Sequence, residues 1–426
     1  MQLVEQHRID QHDPRWKAID EGAFASKNLY NVVLYYKRQA FIHQKLILSL
    51  AEVYQAVKET PEYRALPAKV SNWVLQQVFA AWSSYFSACQ AYKENPTKFL
   101  GHPKLPKYLA KDGRNLLSYE DKAFSRNKKN AGLILPSGLD IVVQTKQSRD
   151  RIAMVRIVPK ATHYVVEVIY EPELQPSSVQ PNLVASIDIG VNNLAAITSN
   201  KPGFQPLLVN GRPLKSLNQR YNKMRATRQK YLPGKQENSR FLDQMTDKRT
   251  RSVDYYLHLA SREIIDMLLH QEIGTLIIGK NDFWKQAANM GKKNNQQFIF
   301  IPHARFIAML QYKAELVGIQ VILVQESHTS KCSFLDEEAI YHHDHYAGRR
   351  IKRGLFKSAT GRLLNADVNG SYNIMRRALP SVFTNREPDS FLITPTFLKL
   401  PDRKQDTSKQ LPKSVGSSGC CSQPAV

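Results

Sequence analysis

The sequence predicts a multidomain α+β protein: a helical and β-rich first half, followed by an α/β domain built on a parallel sheet. Three patterns point there. Apolar residues recur at helical spacing through residues 24–42 and 70–92. Short β-rich runs fill residues 132–170, and strands alternate with amphipathic helices from residue 183 onward. A chain of 426 residues has room for two or three such units, at about 150 residues each.

In the first half, FASKNLYNVVLYYKRQAFI (24–42) reads as a core-facing helix. Over 70–92 the residues Val74, Val78, Ala81, Tyr85, Cys89 and Tyr92 share one face, which reads as packing rather than as a stacking platform for bases. Proline and glycine then punctuate the lysine-rich NPTKFLGHPKLPKYLAKDGRN (95–115). That boundary is expected to face nucleic acid, through Lys104 and Lys107 in particular. The runs GLILPSGLDIVVQT, RIAMVRIV and HYVVEVIY predict a small β-barrel or sheet. Residues 1–180 are thus expected to form a helical recognition and β-barrel-like nucleic-acid-binding region, with a helical insert at about 43–95.

After the linker EPELQPSSVQPN, the segment LVASIDIGVNNLAAITSN (183–200) gives a strand carrying Asp188, then Gly190 and a second strand. A helical face of Val253, Leu257, Ala260, Ile264 and Met267 leads to the buried strand GTLIIG (274–279). Phe306, Leu310, Ala314 and Val317 form a further helix, closed by Gly318 and followed by the strand IQVILVQ (319–325). Strand, helix and apolar strand in that order predict a covered parallel sheet. This domain is expected over 181–378, with a basic helical insertion at about 212–251; residues 379–426, rich in Pro, Ser and Lys, are expected to be largely disordered.

Charge narrows the function. Lys and Arg number 60 against 37 Asp and Glu, a net charge of +23, which calls for a polyanionic partner. No apolar run reaches the roughly 18 residues of a spanning helix, and the polar start MQLVEQHRIDQHDPRW is unlike a signal peptide. Nucleic acid in the cytoplasm, near a prokaryotic nucleoid, is the expected setting, with no membrane partner. Residues 212–251 hold twelve Lys/Arg against three Asp/Glu. Either a solvated face or backbone contacts would account for that, and contacts through Arg220, Lys223, Arg225 and Arg228 are expected. The loop KNDFWKQAANMGKKNNQQ adds Lys285, Lys292 and Lys293.

Asp367, in LLNADVNGSYNI, sits before a helix start, where an aspartate is commonly a turn residue or N-cap. A second use is open to it. Asp188, an acid at a later parallel strand and Asp367 could together bind Mg²⁺ or Mn²⁺, because hard cations take oxygen ligands.

Four stretches in order, IDIGVNNLAAITSN, NGRPLKSLNQRYNKMR, SHTSKCS and ADVNGSYNI, resemble the TnpB (OrfB) family of transposon-encoded proteins, relatives of type V CRISPR effectors. The resemblance spans most of residues 1–378. It implies a RuvC-type, RNase H-like nuclease domain, a guide RNA, and cleavage of double-stranded DNA beside a short flanking motif, by a monomer in a ribonucleoprotein. In that pattern Asp188 is the first catalytic acid and Asp367 the third.

Two departures stand out. Where the family ends its second nuclease strand on an acid, this chain has Gly279 and Lys280. Asp282, Glu272 and Glu326 are candidates to replace it. Glu326 is favoured, because parallel neighbouring strands end at one sheet edge about 5 Å apart. The family's paired CxxC knuckle is reduced to Cys332, with FKSATG in place of the second pair, so a four-cysteine zinc site is excluded. His342, His343 and His345 are poorly spaced for a tetrahedral pocket, and zinc is not expected. The leading expectation is therefore an RNA-guided DNA endonuclease using Asp188, Glu326 and Asp367. A nuclease-inactive, RNA-guided DNA-binding repressor or relic is the alternative. An RNase H-like transposase fits less well, since its glutamate would come last and here an aspartate does.

Overall fold

The computed structural model describes residues 1–120, 123–124, 132–175, 178–234, 236–280, 301–383 and 392–401. It divides into two compact units, Met1–Glu173 with Lys235–Gln244, and Leu174–Gly234 with Met245–Val426.

In the first unit the apolar rhythm begins earlier than residue 24. Ile19 and Ala23 precede Leu29 and Val33 on the same buried face, so one helix runs Trp16–Gln39 and tightens into a π turn at Ala40–Gln44. Short helices Leu50–Val57 and Pro61–Arg64 follow; a capping box between Ser49 and Glu52 starts the first of them. The long helix Ala68–Glu94 buries Val70, Val74, Leu75, Val78 and Trp82. Its expected stripe stops there: Ala81, Tyr85, Cys89 and Tyr92 are only half-buried. The cause is the length of its neighbour, since Phe41, which packs edge-on against Trp82, lies in the first helix's final turn.

Strands β1 (Leu3–Ile9), β2 (Leu117–Glu120), β5 (Ile152–Pro159) and β6 (Tyr164–Tyr170) form an antiparallel sheet in the order β1-β6-β5-β2, beside a separate pair, β3 (Leu133–Ile134) with β4 (Val143–Gln144). Among the described residues the pairing is that of an open sheet, and no ladder closes it into a barrel. The 95–115 segment has little regular structure of its own. Side chains of the first helix hold it instead: Asn31 exchanges two hydrogen bonds with the Leu109 backbone, and Lys27 donates to the Lys111 carbonyl at 2.8 Å.

The second unit is built on a six-stranded mixed sheet. β7 (Gln180–Ile189), β8 (Asn193–Ser199) and β9 (Leu207–Asn210) form an antiparallel meander. β10 (Ile273–Gly279) joins β7 in parallel, and β11 (Gln320–Val324) joins β10 in parallel, giving the order β11-β10-β7-β8-β9. Alternation along β7 decides what each face meets. Ala185, Ile187 and Ile189 pack with Leu257, Ile264, Phe306 and Leu310, from the helices Arg240–His270 and His303–Leu316. Val184 meets the helix Ala366–Ala378 through Ile374 and Met375 on the other face. Asp188 has the parity of Val184, so the sequence's alternation alone turns it toward that last helix.

A small antiparallel sheet, β12 (Arg349–Lys352), β13 (Leu355–Lys357) and β14 (Leu363–Asn365), feeds directly into the last helix. Within the stretch expected to be tail, β15 (Thr396–Phe397) pairs in parallel with Leu207–Leu208 of β9. The run FLITPTFLKL is apolar enough to dock, which the proline and lysine count obscured; Leu398 and Leu400 pack on the sheet's core. Among the described residues no helix is long and apolar enough to cross a membrane.

Candidate metal centre

Asp188 lies one residue from the end of β7, opposite Ala196 of β8, with its neighbour Ile187 in register with Ile278 of β10. Asp367 lies in the first turn of the last helix. It is not the cap: the Asn365 side chain accepts from the Asp367 and Val368 amides at 2.9 and 3.3 Å, which leaves the Asp367 carboxylate for other partners. Those partners are the Asn193 amide, donating to Oδ2 at 2.7 Å, and the Arg350 guanidinium, 3.6 Å from Oδ1.

Glu326 stands two residues beyond Val324, which is in register with Gly279. Its carboxylate fills the space that a side chain on Gly279 would take: a Cβ there would fall on Oε1, 2.7 Å from the Glu326 Cδ and 2.6 Å from the Ile374 Cδ1. Gly370 of the last helix gives way to Asp188 in the same manner, since a Cβ on it would lie 2.5 Å from Oδ2. Two glycines thus make room for two acids. Of the other candidates, Glu272 sits at the far end of β10 and accepts from Gln180 at 3.0 Å, and Asp282 lies outside the described residues.

The loop after Glu326 is tied to the helix that carries Asp367. Asn369 donates to the Cys332 carbonyl at 2.8 Å and accepts from the Phe334 amide at 2.9 Å. Asn373 donates to the Thr329 and Cys332 carbonyls at 2.9 and 2.7 Å, and Arg377 to that of Ser327 at 2.7 Å. These helix-borne amides hold the loop that carries the lone knuckle cysteine. Cys332 itself is buried, with its thiol donating to the Ala339 carbonyl at 3.4 Å, while His343 shares that carbonyl at 2.7 Å and His342 and His345 are exposed.

Electrostatics couple the acids. Burial raises the Asp188 carboxyl well above the ordinary range; the charges of Glu326 and Asp367 raise it further, with Arg350 opposing. Burial pushes Glu326 from 4.5 up to about 7. Three oxygen-only side chains that repel one another suit a hard divalent cation, which would relieve the repulsion. They are neighbours rather than a closed shell: among the described residues no three acid, His or Cys side chains converge tightly enough to hold an ion.

A pH dependence follows for protein stripped of divalent ions. The native state keeps a proton on Glu326 that the unfolded chain releases between about pH 4.5 and 7, so stability falls as pH rises through that window. Chelator-treated protein is expected to gain about 2 kcal/mol between pH 8 and 5.5 beyond what Glu326→Gln gains, read from denaturant midpoints. Equal gains in both would show that Glu326 titrates normally.

Arg220, Lys223, Arg225 and Arg228 are exposed on the helix Arg212–Gln229, which buries only Leu214, Asn218 and Tyr221. Lys104 and Lys107 are exposed in the first unit, and Lys285, Lys292 and Lys293 lie outside the described residues. Sequence reasoning missed Asn193 and Arg350. Arg350 lies in the basic run RRIKR of β12 and its turn; the Asn193 signal is its place at the start of β8, directly after the turn that follows Asp188.

Known proteins share this organisation. Residues 163–284 match the OrfB_IS605 family, a probable transposase, and residues 303–374 match the Cas12f1-like TNB domain. The chain is 24% identical over 409 residues to the TnpB-like protein ORF457 of Acidianus two-tailed virus, covering 86% of this chain and 85% of that protein. It is 24% identical over 230 residues to the CRISPR-associated endodeoxyribonuclease Cas12f2 of a Micrarchaeota archaeon (strain CG1_02_47_40), covering 51% of this chain and 40% of that protein. Its fold is similar to a chain in the cryo-EM structure of a Cas12f1–sgRNA–target DNA complex, with a TM-score of 0.53 and 14% identity, over 85% of this chain and 82% of that one. The chain is therefore similar to TnpB-like and Cas12f proteins, the resemblance that the order of its four motifs indicated.

Proposed function

We propose that the protein is an RNA-guided DNA endonuclease whose RuvC-like domain, within residues 181–378, hydrolyses phosphodiesters with a divalent metal. One observation supports this reading: Asp188 lies within electrostatic reach of both Glu326 and Asp367, which come from distant segments, and Gly279 leaves the space that the Glu326 carboxylate fills. The Cas12f1 complex of similar fold holds an sgRNA and target DNA; the partners of this chain would likewise be a guide RNA and double-stranded DNA, and residues 1–180 would grip both.

Asp188, Glu326 and Asp367 would hold Mg²⁺ or Mn²⁺. A bound ion there supplies Lewis-acid stabilisation of phosphate oxygens and lowers the pKa of water. The protein's own groups set the stage for it. Asp188 and Glu326 are half-buried, which strengthens their pull on a cation relative to fully solvated acids. Arg350, on an exposed strand beside Asp367, can receive a backbone phosphate, and the basic helix Arg212–Gln229 can neutralise further ones. Sequence choice would rest on guide pairing, with the protein reading a short duplex motif.

The binder-only alternative draws on the absence of an acid on β10 itself. One experiment separates the two. Protein made with its own locus is expected to co-purify with one defined RNA, to lose it steeply as salt rises, and to cut plasmid DNA with Mg²⁺. Asp188→Ala should bind the same target and cut nothing. A wild type that binds target yet never cuts would favour the repressor, and recovery of random RNA alone would sink the guide.

A further inference from the structure

We propose that Asn193 is the positioning residue for Asp367: its amide holds one carboxylate oxygen so that the other is presented to a divalent cation. The inference rests on the metal-centre reading above and goes beyond it, because it assigns a role to a neutral side chain at the start of β8.

The Asn193 amide donates 2.7 Å to Oδ2 of Asp367, and the Arg350 guanidinium stands 3.6 Å from Oδ1. The two oxygens therefore have different fates. Oδ2 is held by a neutral donor that leaves the negative charge intact. Oδ1 faces an exposed cationic side chain that an ion can displace. The carboxylate is not taken up by capping, since Asn365 accepts from the helix's first amides in its place.

Asn193 can act this way because the turn that leads into it is pinned by hydrogen bonds. Gly190 donates to the Leu194 carbonyl at 3.3 Å, and a Cβ on Gly190 would lie 2.7 Å from the Asn193 carbonyl oxygen, so only glycine permits this closure. On the outer side the Gly211 amide donates to the Asn192 carbonyl at 2.8 Å, and Lys215 reaches the Asn192 side chain at 3.3 Å. The backbone that carries the Asn193 amide is thus held from both flanks. Outer partners of ligating carboxylates typically govern metal affinity by ten- to a hundredfold.

The test uses full-length, RNA-free protein and Mn²⁺ alone, with free Mn²⁺ read by electron paramagnetic resonance. Asn193→Ala is expected to bind Mn²⁺ about tenfold more weakly than wild type. Asn193→His, which keeps a ring N–H donor near the same place, should recover part of that loss. Arg350→Ala should move the other way and bind more tightly, because it removes the competing cation; a merely structural disturbance at the turn gives no such opposition of sign. Melting curves without metal identify any variant that fails to fold, and the histidine variant then carries the comparison. Asn193→Ala binding within twofold of wild type, while Asp188→Ala loses binding, would overturn the role of Asn193 and leave the centre standing. Asp188→Ala binding as well as wild type would overturn the centre and this role with it.

Discussion

Replacing Glu326 with glutamine is expected to lower DNA cleavage by about 1,000-fold while target binding changes less than twofold, since a lost ligand carboxylate removes several kcal/mol of charge stabilisation. The same change should stabilise the metal-free protein above pH 7. Glu326 carries its charge there in a buried site beside Asp188, and an amide removes both the burial penalty and the repulsion. Activity and stability thus move in opposite directions, the behaviour of an acid retained for chemistry rather than for the fold. Endpoint cleavage of plasmid and denaturant midpoints at pH 8, on the same preparations, read the two. Full cleavage by Glu326→Gln would return attention to Asp282, whose asparagine variant is otherwise expected to be mild.

Much of this arrangement could be read from the chain, and the misses share a cause. Period-two alternation placed Asp188 on the face of Val184, and the two apolar runs 274–279 and 319–325 gave neighbouring parallel strands, so the sheet edge holding Gly279 and Glu326 was legible. What could not be read is anything set by a partner in space. The first helix ends near Phe41, and only that decides where the stripe on Ala68–Glu94 stops being buried. Asp367 and Asn365 are both good caps by residue type; the backbone chose Asn365. Asn193 and Arg350 carry no local pattern at all, because their meaning lies in an aspartate 174 and 17 residues away. Asn369 and Asn373 likewise show no role in the sequence; they are buried donors that bind the 329–334 loop to the helix.

The sharpest test of the relocated acid is at a position with no side chain. Gly279→Ala is expected to reduce cleavage about a hundredfold although no carboxylate is removed, since displacing a reacting group by an ångström can cost that much. The added methyl would clash with Oε1 of Glu326 and stand 2.6 Å from the Ile374 Cδ1, so the glutamate carboxylate is expected to shift from its place. Overpacking of this kind should also destabilise the fold by about 1–3 kcal/mol. Backbone strain plays no part: Gly279 is absent from the positive-φ positions, so a side chain is conformationally allowed there. The acid can therefore be moved back to β10. Glu326→Ala vacates the carboxylate's space, Ile374→Val removes the obstructing Cδ1, and Gly279→Glu then supplies the carboxylate from the neighbouring strand. That triple variant is expected to cut within about tenfold of wild type, well above Glu326→Ala alone, with Ile374 retained giving less recovery because its Cδ1 still blocks the new Cβ. Wild-type cleavage by Gly279→Ala would mean that Glu326 works from somewhere other than beside Gly279, and the exchange of acid between strands would fall with it.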